Sequence, residues 1–187
     1  RAPKFMMPNN LHFLLREAYQ NNNVDLQNYV NLTLTKIAFG GVFDHVGGGF
    51  SRYSVDDKWH VPHFEKMLYD NAQLVSLYSD AYLITKNPLY KEVVFETLEF
   101  VKRELTDTNG TFYSSLDADS TTASGELEEG AFYVWQEEKL KKLLGEDFQY
   151  FANYYNINDY GLWEHNNYVL IRSDSDEVFN KKYDISI

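Results

Sequence analysis

The chain has 187 residues and a formal net charge of −11, with 17 Lys and Arg against 28 Asp and Glu. Nucleic acids and anionic membrane surfaces are bound through clusters of basic side chains, so this charge argues against both as partners. Cysteine is absent, which excludes disulfides and thiol nucleophiles. The length favours one domain. No apolar run is long enough to span a bilayer and the first residues do not form a signal peptide, so we expect a cytoplasmic protein.

Helical spacing of apolar residues predicts a first helix, with Asn9 or Asn10 as its N-cap. Its apolar positions are Leu11, Leu14, Leu15, Ala18 and Tyr19. A second helix ending at Gly40 is marked by Leu26, Val30, Leu34, Ile37 and Ala38. Because only a short polar turn at residues 21–23 separates them, the two helices are predicted to form an antiparallel hairpin.

A third helix is predicted from about residue 62 to residue 84, and it is apolar nearly all round, which is typical of a helix buried between layers. Asn87 and Pro88 are suited to the N-cap and first position of a fourth helix. Its predicted buried stripe is Tyr90, Val94, Leu98, Val101 and Leu105. On its outer face Glu99 and Arg103 are spaced for an ion pair. Two shorter helices are predicted at residues 136–144 and 147–155, followed by loop and short strand to residue 187.

The loop at residues 40–71 is the densest in chemically active groups, with three of the five histidines and five of the ten glycines. Gly40 and Gly41 are predicted to end the preceding helix with a positive φ. The glycines at 47–49 allow a close approach to a ligand or to another backbone. Residues 50–61 are predicted to form a short hairpin, and Pro62 to open the next helix. That start would place His60, His63 and Glu65 at a strand-to-helix junction.

A second irregular segment contains two carboxylates, Asp117 and Asp119, which would project from one face of an extended chain. Such a pair is suited to a metal, to sugar hydroxyls or to acid–base chemistry, but an Asx-type loop is the commoner role. Residues 112–116 and 131–135 have strand character and are predicted to pair as a hairpin that carries the acidic loop at 121–129. Paired helices with long loops between them predict a mostly α array of helical hairpins. Both irregular segments, 40–61 and 112–135, are expected at one end of it.

Three segments resemble the thioredoxin-fused spermatogenesis-associated protein 20 family. They are the run beginning Gly40-Gly-Val-Phe-Asp-His-Val-Gly-Gly-Gly and ending at Leu74, Ser114-Ser-Leu-Asp-Ala-Asp-Ser120, and Glu129-Gly-Ala-Phe-Tyr-Val-Trp135. The stretch Gly161-Leu-Trp-Glu-His-Asn-Asn167 is a weaker match. The resemblance implies a six-hairpin (α/α)6 toroid similar to N-acylglucosamine 2-epimerases and glycoside hydrolases. Residues 1–187 would then be a single partial toroid domain, its N-terminal half, without the family's thioredoxin-like domain.

The resemblance implies a carbohydrate-active enzyme with a sugar-like small-molecule ligand. An epimerase or isomerase would use histidines as acid and base, and a glycoside hydrolase would use two carboxylates. The candidate catalytic residues are His60, His63, Asp117, Asp119 and Glu129. The candidate substrate-binding residues are Asp44, His45, Arg52, Tyr53, Trp59, Glu65 and Asp70. Epimerases of this fold place their acid–base histidines mainly in later helices, so this chain alone is expected to be inactive.

Other roles remain open for the same residues. The chain is alternatively a non-catalytic sugar-binding or regulatory module of a redox protein. A metal site at His60, His63 and Glu65 matches no established ligand spacing, so neither a metal nor another cofactor is predicted. Structural roles are also considered: Arg52 bracing the hairpin through Asp56 or Asp44, Trp59 and Tyr53 packing, and His60 capping a helix.

Two further expectations concern the third helix. Asp70 and Asn71 interrupt its apolar surface and are expected to hydrogen-bond to a neighbouring loop. His63 and Asp70, two helical turns apart on one face, would frame the mouth of a cleft. A partial toroid leaves apolar helix faces without neighbours, so the chain is expected to self-associate.

Overall fold

Four long helices form two antiparallel hairpins, as the sequence predicts. The computed structural model describes residues 2–122 and 124–185. Helix α1 packs against α2, α3 packs against α4, and α3 also packs against α1. The helices are α1 Pro8–Gln20, α2 Val24–Phe39, α3 Leu68–Thr85, α4 Pro88–Glu104, α5 Glu137–Leu144, α6 Phe148–Tyr154 and α7 Asp176–Tyr183. The structure is therefore mostly α.

Short antiparallel strands lie in the segments before, between and after these helices. The strands are β1 Lys4–Phe5, β2 Tyr53–Ser54, β3 Pro62–His63, β4 Lys66–Met67, β5 Ser115–Leu116, β6 Asp119–Thr121, β7 Leu127–Glu129, β8 Trp135–Gln136 and β9 Asn167–Tyr168. The first three form one sheet in the order β1-β2-β3, and the others pair as β4-β5, β6-β7 and β8-β9. The small sheets position the loops, while the apolar core lies mainly between the helices.

Local signals explain where several helices begin. The Asn23 side chain accepts a hydrogen bond from the Leu26 amide at the start of α2, and Asn87 caps α4 with Pro88 at the first position. The predicted caps of α1 are wrong, because α1 begins at Pro8 and both Asn9 and Asn10 lie inside it. Proline carries a helical φ and lacks the N–H that a cap would satisfy, so it starts the helix earlier.

Helix α3 begins six residues later than predicted. Pro62 lies in β3, opposite Ser54, and Lys66 lies in β4, opposite Leu116. These ladders hold residues 62–67 extended until Leu68. The interpretation of His60, His63 and Glu65 as helix N-terminal groups, and of His60 as a helix cap, is therefore wrong.

The predicted buried surfaces of α3 and α4 also differ in detail. Helix α3 buries one side, through Leu74, Leu77, Tyr78 and Ala81, whereas Leu83 is 63% exposed. The buried residues of α4 are Tyr90, Val93, Thr97 and Phe100. Tyr90 and Leu105 of the predicted stripe are buried, but between them the buried positions are Val93, Thr97 and Phe100, and Leu98 is exposed. Thr97 is accommodated because its hydroxyl donates to the Val93 carbonyl.

The predicted pairing of residues 112–116 with residues 131–135 is wrong. Strand β5 pairs with β4, β6 pairs with β7 across the acidic loop, and β8 pairs with β9. After β7 the chain turns at Gly130, which has a φ of +74° and lies so close to the Phe64 ring that a Cβ would overlap it. The turn redirects residues 131–134 away from a hairpin. Ala123, in the predicted acidic loop, lies outside the described residues.

The irregular segments meet at one end of the helical array, as predicted. Residues 40–67 connect the C-terminal end of α2 to the N-terminal end of α3, and β5 follows the C-terminal end of α4. The β4-β5 ladder joins the two segments directly. Strand β1, which precedes α1, pairs with β2 in the same region. This end of the structure therefore gathers nearly all the candidate site residues.

The C-terminal part forms a smaller apolar cluster of its own. Its buried members are Leu140, Ala152, Ile157, Tyr168 and Leu170. Helices α5 and α6 agree with the prediction within one residue at each end. Helix α7 was missed, although the Ser175 cap, the acidic first turn and the basic last turn are ordinary helix signals. Residues 186–187 lie outside the described part of the chain.

Membrane crossing would need a longer and more apolar helix than any found in residues 2–122 and 124–185.

Candidate functional site

The glycine-rich part of the loop packs against helix α4. Gly48 and Gly49 have φ values of +74° and +80°. A Cβ on Gly48 would overlap the Glu96 carbonyl, and a Cβ on Gly49 would overlap the Phe100 ring. The predicted close approach is confirmed, and the neighbour is the helix. Gly40 differs from the prediction because its φ is −73°. It is needed because a Cβ would overlap the Trp59 carbonyl oxygen.

His63 lies between two carboxylates at this end of the structure. Its Nδ1 is 2.8 Å from Glu129 Oε1, and its Nε2 is 3.8 Å from Glu65 Oε2. The ring stacks on Tyr53 with centroids 5.0 Å apart, and Tyr53 packs in turn on Phe5. The His63 side chain remains 28% exposed. His63 is thus held by a carboxylate and an aromatic ring while one edge reaches solvent.

Two charged groups extend this arrangement. Arg52 donates from its guanidinium to Glu65 Oε2 at 3.2 Å, and its backbone N–H donates to the Glu65 carbonyl at 2.9 Å. Arg52 therefore pairs with Glu65 and does not brace the hairpin through Asp56 or Asp44 as considered above. We call the set of Arg52, Tyr53, His63, Glu65, Asp70 and Glu129 the His63 cluster.

Asp70 has an unusual carboxyl group. Its Oδ2 is buried and has no hydrogen-bond partner among the described residues, which differs from the bonded role expected for it. Burial raises the pKa of Asp70 to about 6, with the charge of Arg52 opposing the rise and that of Glu65 adding to it. A carboxyl with this pKa is partly protonated near neutral pH, so it is able to donate a proton.

Asn71 has the structural role predicted for it. Its side chain is fully buried, accepts from the Phe50 N–H at 2.7 Å and donates to the Phe50 carbonyl at 3.0 Å.

The two aspartates of the acidic segment have different positions. Asp119 lies opposite Glu129 in the β6-β7 ladder, at the edge of the His63 cluster. The Asp117 carboxylate turns back and accepts from the Asp119 backbone N–H at 2.9 Å. This is the local turn geometry that aspartate commonly adopts. Asp117 and Asp119 are both exposed with the buried Ala118 between them, and Asp117 makes this local structural contact.

Three predicted site residues lie apart from the His63 cluster, in packed surroundings. His60 Nε2 is 3.1 Å from the Gly161 carbonyl, and burial lowers its pKa. His45 Nε2 is 3.2 Å from the Gly40 carbonyl, and burial together with the charge of Arg172 lowers its pKa to about 4. Trp59 is buried in the main core. Both histidines are therefore neutral at physiological pH, with a role in packing.

The hairpin is braced by Asp56 through the backbone. Its carboxylate accepts from the N–H groups of Lys58, His60 and Val61. His60 and His63 consequently have separate partners, and no group of three potential ligands suited to a metal ion occurs in the described part of the chain.

Lys66 is a buried cation that sequence reasoning missed. Only 1% of the residue is exposed, and its Nζ donates to Asp44 Oδ2 at 2.7 Å and to the Gly48 carbonyl at 2.9 Å. The ammonium also lies 4.5 Å from the centroid of the Phe100 ring. Burial alone would raise the pKa of Asp44, but Lys66 and two backbone N–H groups lower it overall. The strand β4 has no periodic pattern that would have marked Lys66 as buried.

The Asp44–Lys66 pair lies at the wall of a cleft of about 660 Å³. Its lining includes Asp44, Lys66, Phe100, Arg103, Glu104, Phe132, Tyr133, Trp135 and Lys139. The cleft shares no lining residue with the His63 cluster. Arg103 donates to the Gly47 carbonyl and to Glu104, so the predicted pair with Glu99 is wrong.

Phe64 brings together the segments that carry the family resemblance. Its ring stacks on Tyr133 with centroids 5.7 Å apart and contacts Trp163 at 5.6 Å. Tyr133 belongs to the third resembling segment, Glu129–Trp135, and Trp163 to the weaker one. Segments far apart in the chain thus share one small apolar cluster beside the candidate site.

Comparison with known proteins confirms the family resemblance. No family model matches the chain. Human spermatogenesis-associated protein 20 is 45% identical over 150 residues, which cover 78% of this chain and 19% of the human protein. The chain is a homologue of spermatogenesis-associated protein 20. The mouse protein of that name is 44% identical over 150 residues, again covering 78% of the chain and 19% of the relative.

A further relative is the uncharacterized protein B0495.5 of Caenorhabditis elegans. It is 38% identical over 176 residues, covering 86% of the chain and 24% of the relative. The chain thus spans about a fifth of the length of spermatogenesis-associated protein 20 and about a quarter of the nematode protein. The six-hairpin toroid and the arrangement of the partial domain stay predictions.

Proposed function

We propose that this homologue of spermatogenesis-associated protein 20 contributes residues to a carbohydrate-active site, in which His63 transfers a proton to or from a sugar-like ligand. The observation that carries the proposal is the 2.8 Å contact between His63 Nδ1 and Glu129. A charged carboxylate only accepts, so Nδ1 carries the proton. Nε2 is then the basic nitrogen, and its 3.8 Å separation from Glu65 is too long for a hydrogen bond. Nε2 is therefore free to accept a proton from a ligand.

The other members of the cluster have roles that follow from their contacts. Both faces of the Tyr53 ring are occupied, by His63 and by Phe5, so Tyr53 positions the imidazole and does not bind a sugar. Arg52 and Glu65 offer a donor and an acceptor suited to hydroxyl groups. In an epimerisation, the base removes the proton from the carbon next to a carbonyl, and the proton returns to either face. His63 is the proposed base for that step.

Hydrolysis of a glycosidic bond is the second candidate reaction. It is favoured by the contrast between Asp70, whose pKa is raised to about 6, and Glu65, which is paired with Arg52. Hydrolysis requires two carboxyl groups, one as the acid and one as the nucleophile or base. Asp70 would be the acid in this reaction.

Solvent exchange in the intact protein tests the epimerase-like reaction. Glucose, mannose and their N-acetylated 2-amino analogues are incubated in D2O, and proton NMR follows loss of the C2 signal. We expect exchange in the native protein and a loss of about 10² to 10⁴-fold in His63→Gln. Glu129→Gln should show a smaller loss. The matched control is His12→Gln, since His12 forms a 2.6 Å contact with Asp80 elsewhere in the fold. Exchange that persists unchanged in His63→Gln would refute the role of His63.

The hydrolase reaction is tested with a separate assay and with a different variant, Asp70→Asn. Release of nitrophenol from a panel of 4-nitrophenyl glycosides should fall in Asp70→Asn and remain in His63→Gln. If sugars bind, as judged by saturation-transfer NMR, but neither exchange nor hydrolysis occurs, the catalytic proposal fails and the alternative of a non-catalytic sugar-binding or regulatory module is supported.

A further inference from the structure

The cleft beside the Asp44–Lys66 pair is large enough for a small molecule. At about 660 Å³ it falls within the size range of typical ligand sites. Four segments line it: the loop around Asp44, β4 with Lys66, the C-terminal end of α4, and residues from 116–122 and 131–139. It shares no residue with the His63 cluster, so its function is a separate question from the proposed proton transfer.

The charged groups of the cleft leave an excess of positive charge. Lys66, Arg103 and Lys139 face it, and so do the carboxylates Asp44 and Glu104. Asp44 is already paired with Lys66, and Glu104 with Arg103. Lys139 lies 5.5 Å from the Trp135 ring centroid and has no carboxylate within ion-pair distance in the described part of the chain. A chain of net charge −11 thus presents a locally cationic cleft.

Lys66 is enclosed at the wall of the cleft. Its ammonium has three N–H donors, and the described contacts use two of them, on Asp44 and Gly48. The rings of Phe100 and Tyr133 lie 4.5 and 4.8 Å from Nζ. Water is largely excluded there, since the Lys66 side chain is 2% exposed. Lys66 therefore fixes Asp44 and the loop at the wall of the cleft, and the cations that a ligand is able to reach are Arg103, which is 52% exposed, and the exposed Lys139.

Aromatic side chains form the rest of the wall. Phe132 is 76% exposed, which is unusual for a large apolar residue, and its ring meets the edge of Tyr133 at a centroid distance of 5.2 Å. Trp135 adds a third ring to the lining. An exposed ring in a cleft offers a flat surface on which another ring is able to pack. The cleft therefore combines a cationic wall with an aromatic one.

We propose that this cleft binds a ring-bearing organic anion, with the negative group at Arg103 and Lys139 and the ring packed against Phe132. Neither feature alone accounts for the lining. A neutral sugar would not use the charge of Lys139, and a free inorganic anion would not cover Phe132. The proposal does not depend on any reaction at the His63 cluster.

Binding to the intact protein is measured by isothermal titration calorimetry with three probes. Phenyl phosphate has both the ring and the anion, inorganic phosphate has only the anion, and benzyl alcohol has only the ring. We expect phenyl phosphate to bind at least about tenfold more tightly than either of the others, and its affinity to fall as salt rises. Equal affinity for phenyl phosphate and inorganic phosphate, or no binding of phenyl phosphate, overturns the proposal.

Matched variants locate the binding site. Lys139→Glu should weaken phenyl phosphate by about tenfold, whereas Lys142→Glu, the same change at an exposed position of α5 outside the cleft, should have little effect. Phe132→Ser should also weaken binding, and Phe95→Ser, at another exposed ring on α4, should not. If Lys139→Glu and Lys142→Glu weaken binding equally, the attraction is a general surface effect and the cleft is not the site. All four positions are at least partly exposed, so their variants are expected to fold.

Discussion

Asn71 and Phe50 are joined by a reciprocal pair of hydrogen bonds across 21 residues of chain. The Asn71 Oδ1 accepts from the Phe50 N–H at 2.7 Å, and the Asn71 amide donates to the Phe50 carbonyl at 3.0 Å. The same amide donates to the Met67 carbonyl at 2.9 Å. One buried side chain thus anchors the glycine-rich loop to the first turn of α3. That loop in turn supports both the His63 cluster and the cationic cleft.

Replacing Asn71 with Ala should destabilise the protein by about 3 kcal/mol, because the buried N–H and carbonyl of Phe50 both lose their partner. Urea unfolding followed by circular dichroism measures the change. Asn28→Ala, on the exposed face of α2, is the control and should alter stability by less than about 0.5 kcal/mol. Similar losses in the two variants would show that the loop is held by other contacts.

Gly49 and Gly110 provide a matched pair for separating backbone strain from steric overlap. Their φ values are +80° and +81°, but a Cβ on Gly49 would overlap the Phe100 ring, whereas a Cβ on Gly110 would have no atom of the described residues within 4 Å. Gly110→Ala should cost about 1–2 kcal/mol from the positive φ alone. Gly49→Ala should cost a further 1–3 kcal/mol from overpacking. Equal losses in urea unfolding would contradict the close packing of this loop on α4.

Asp70 should make stability fall as pH rises through the range between the ordinary Asp pKa and its own pKa of about 6. In that range the folded protein binds the proton more tightly than the unfolded chain, so raising the pH favours unfolding. Asp70→Asn should therefore be more stable than the native protein at pH 7.5, by on the order of 1 kcal/mol after allowance for partial exposure. Near pH 4 the difference should vanish.

Urea unfolding of both proteins at pH 4, 6 and 7.5 measures this effect. Asp159→Asn, the same change at an exposed position, is the control for the substitution itself. A difference between Asp70→Asn and the native protein that stays constant from pH 4 to pH 7.5 would mean that the Asp70 carboxyl titrates normally.

Helices with strong periodic patterns were predictable because their signals are local. Asn23, Asn87 and Pro88 mark the starts of α2 and α4, and Gly145 ends α5. The start of α3 was not predictable in this way. Pro62 is a good first helical residue, but its pairing with Ser54, and the pairing of Lys66 with Leu116, keep the chain extended. Those partners come from other parts of the chain.

The candidate site was predictable in composition and only partly in arrangement. The density of His, Asp, Glu and Arg in residues 40–71 correctly indicated a polar cluster, and Arg52, His63 and Glu65 do lie together. His45 and His60 have the same side chain and yet hydrogen-bond to backbone carbonyls, because burial depends on neighbours such as Gly161 that lie far along the chain. Chemical type alone does not distinguish these two situations.

The sequence by itself determined the helical hairpins, the irregular segments at one end and the relationship to spermatogenesis-associated protein 20. Periodicity, capping residues and motifs each depend on residues that are close together in the chain. Only the tertiary structure decided that Glu129 reaches His63 and that Lys66 is buried against Asp44 and Phe100. These contacts join residues 66, 22 and 34 positions apart, and the short strands and turns that bring them together are stabilised by packing rather than by their own propensity.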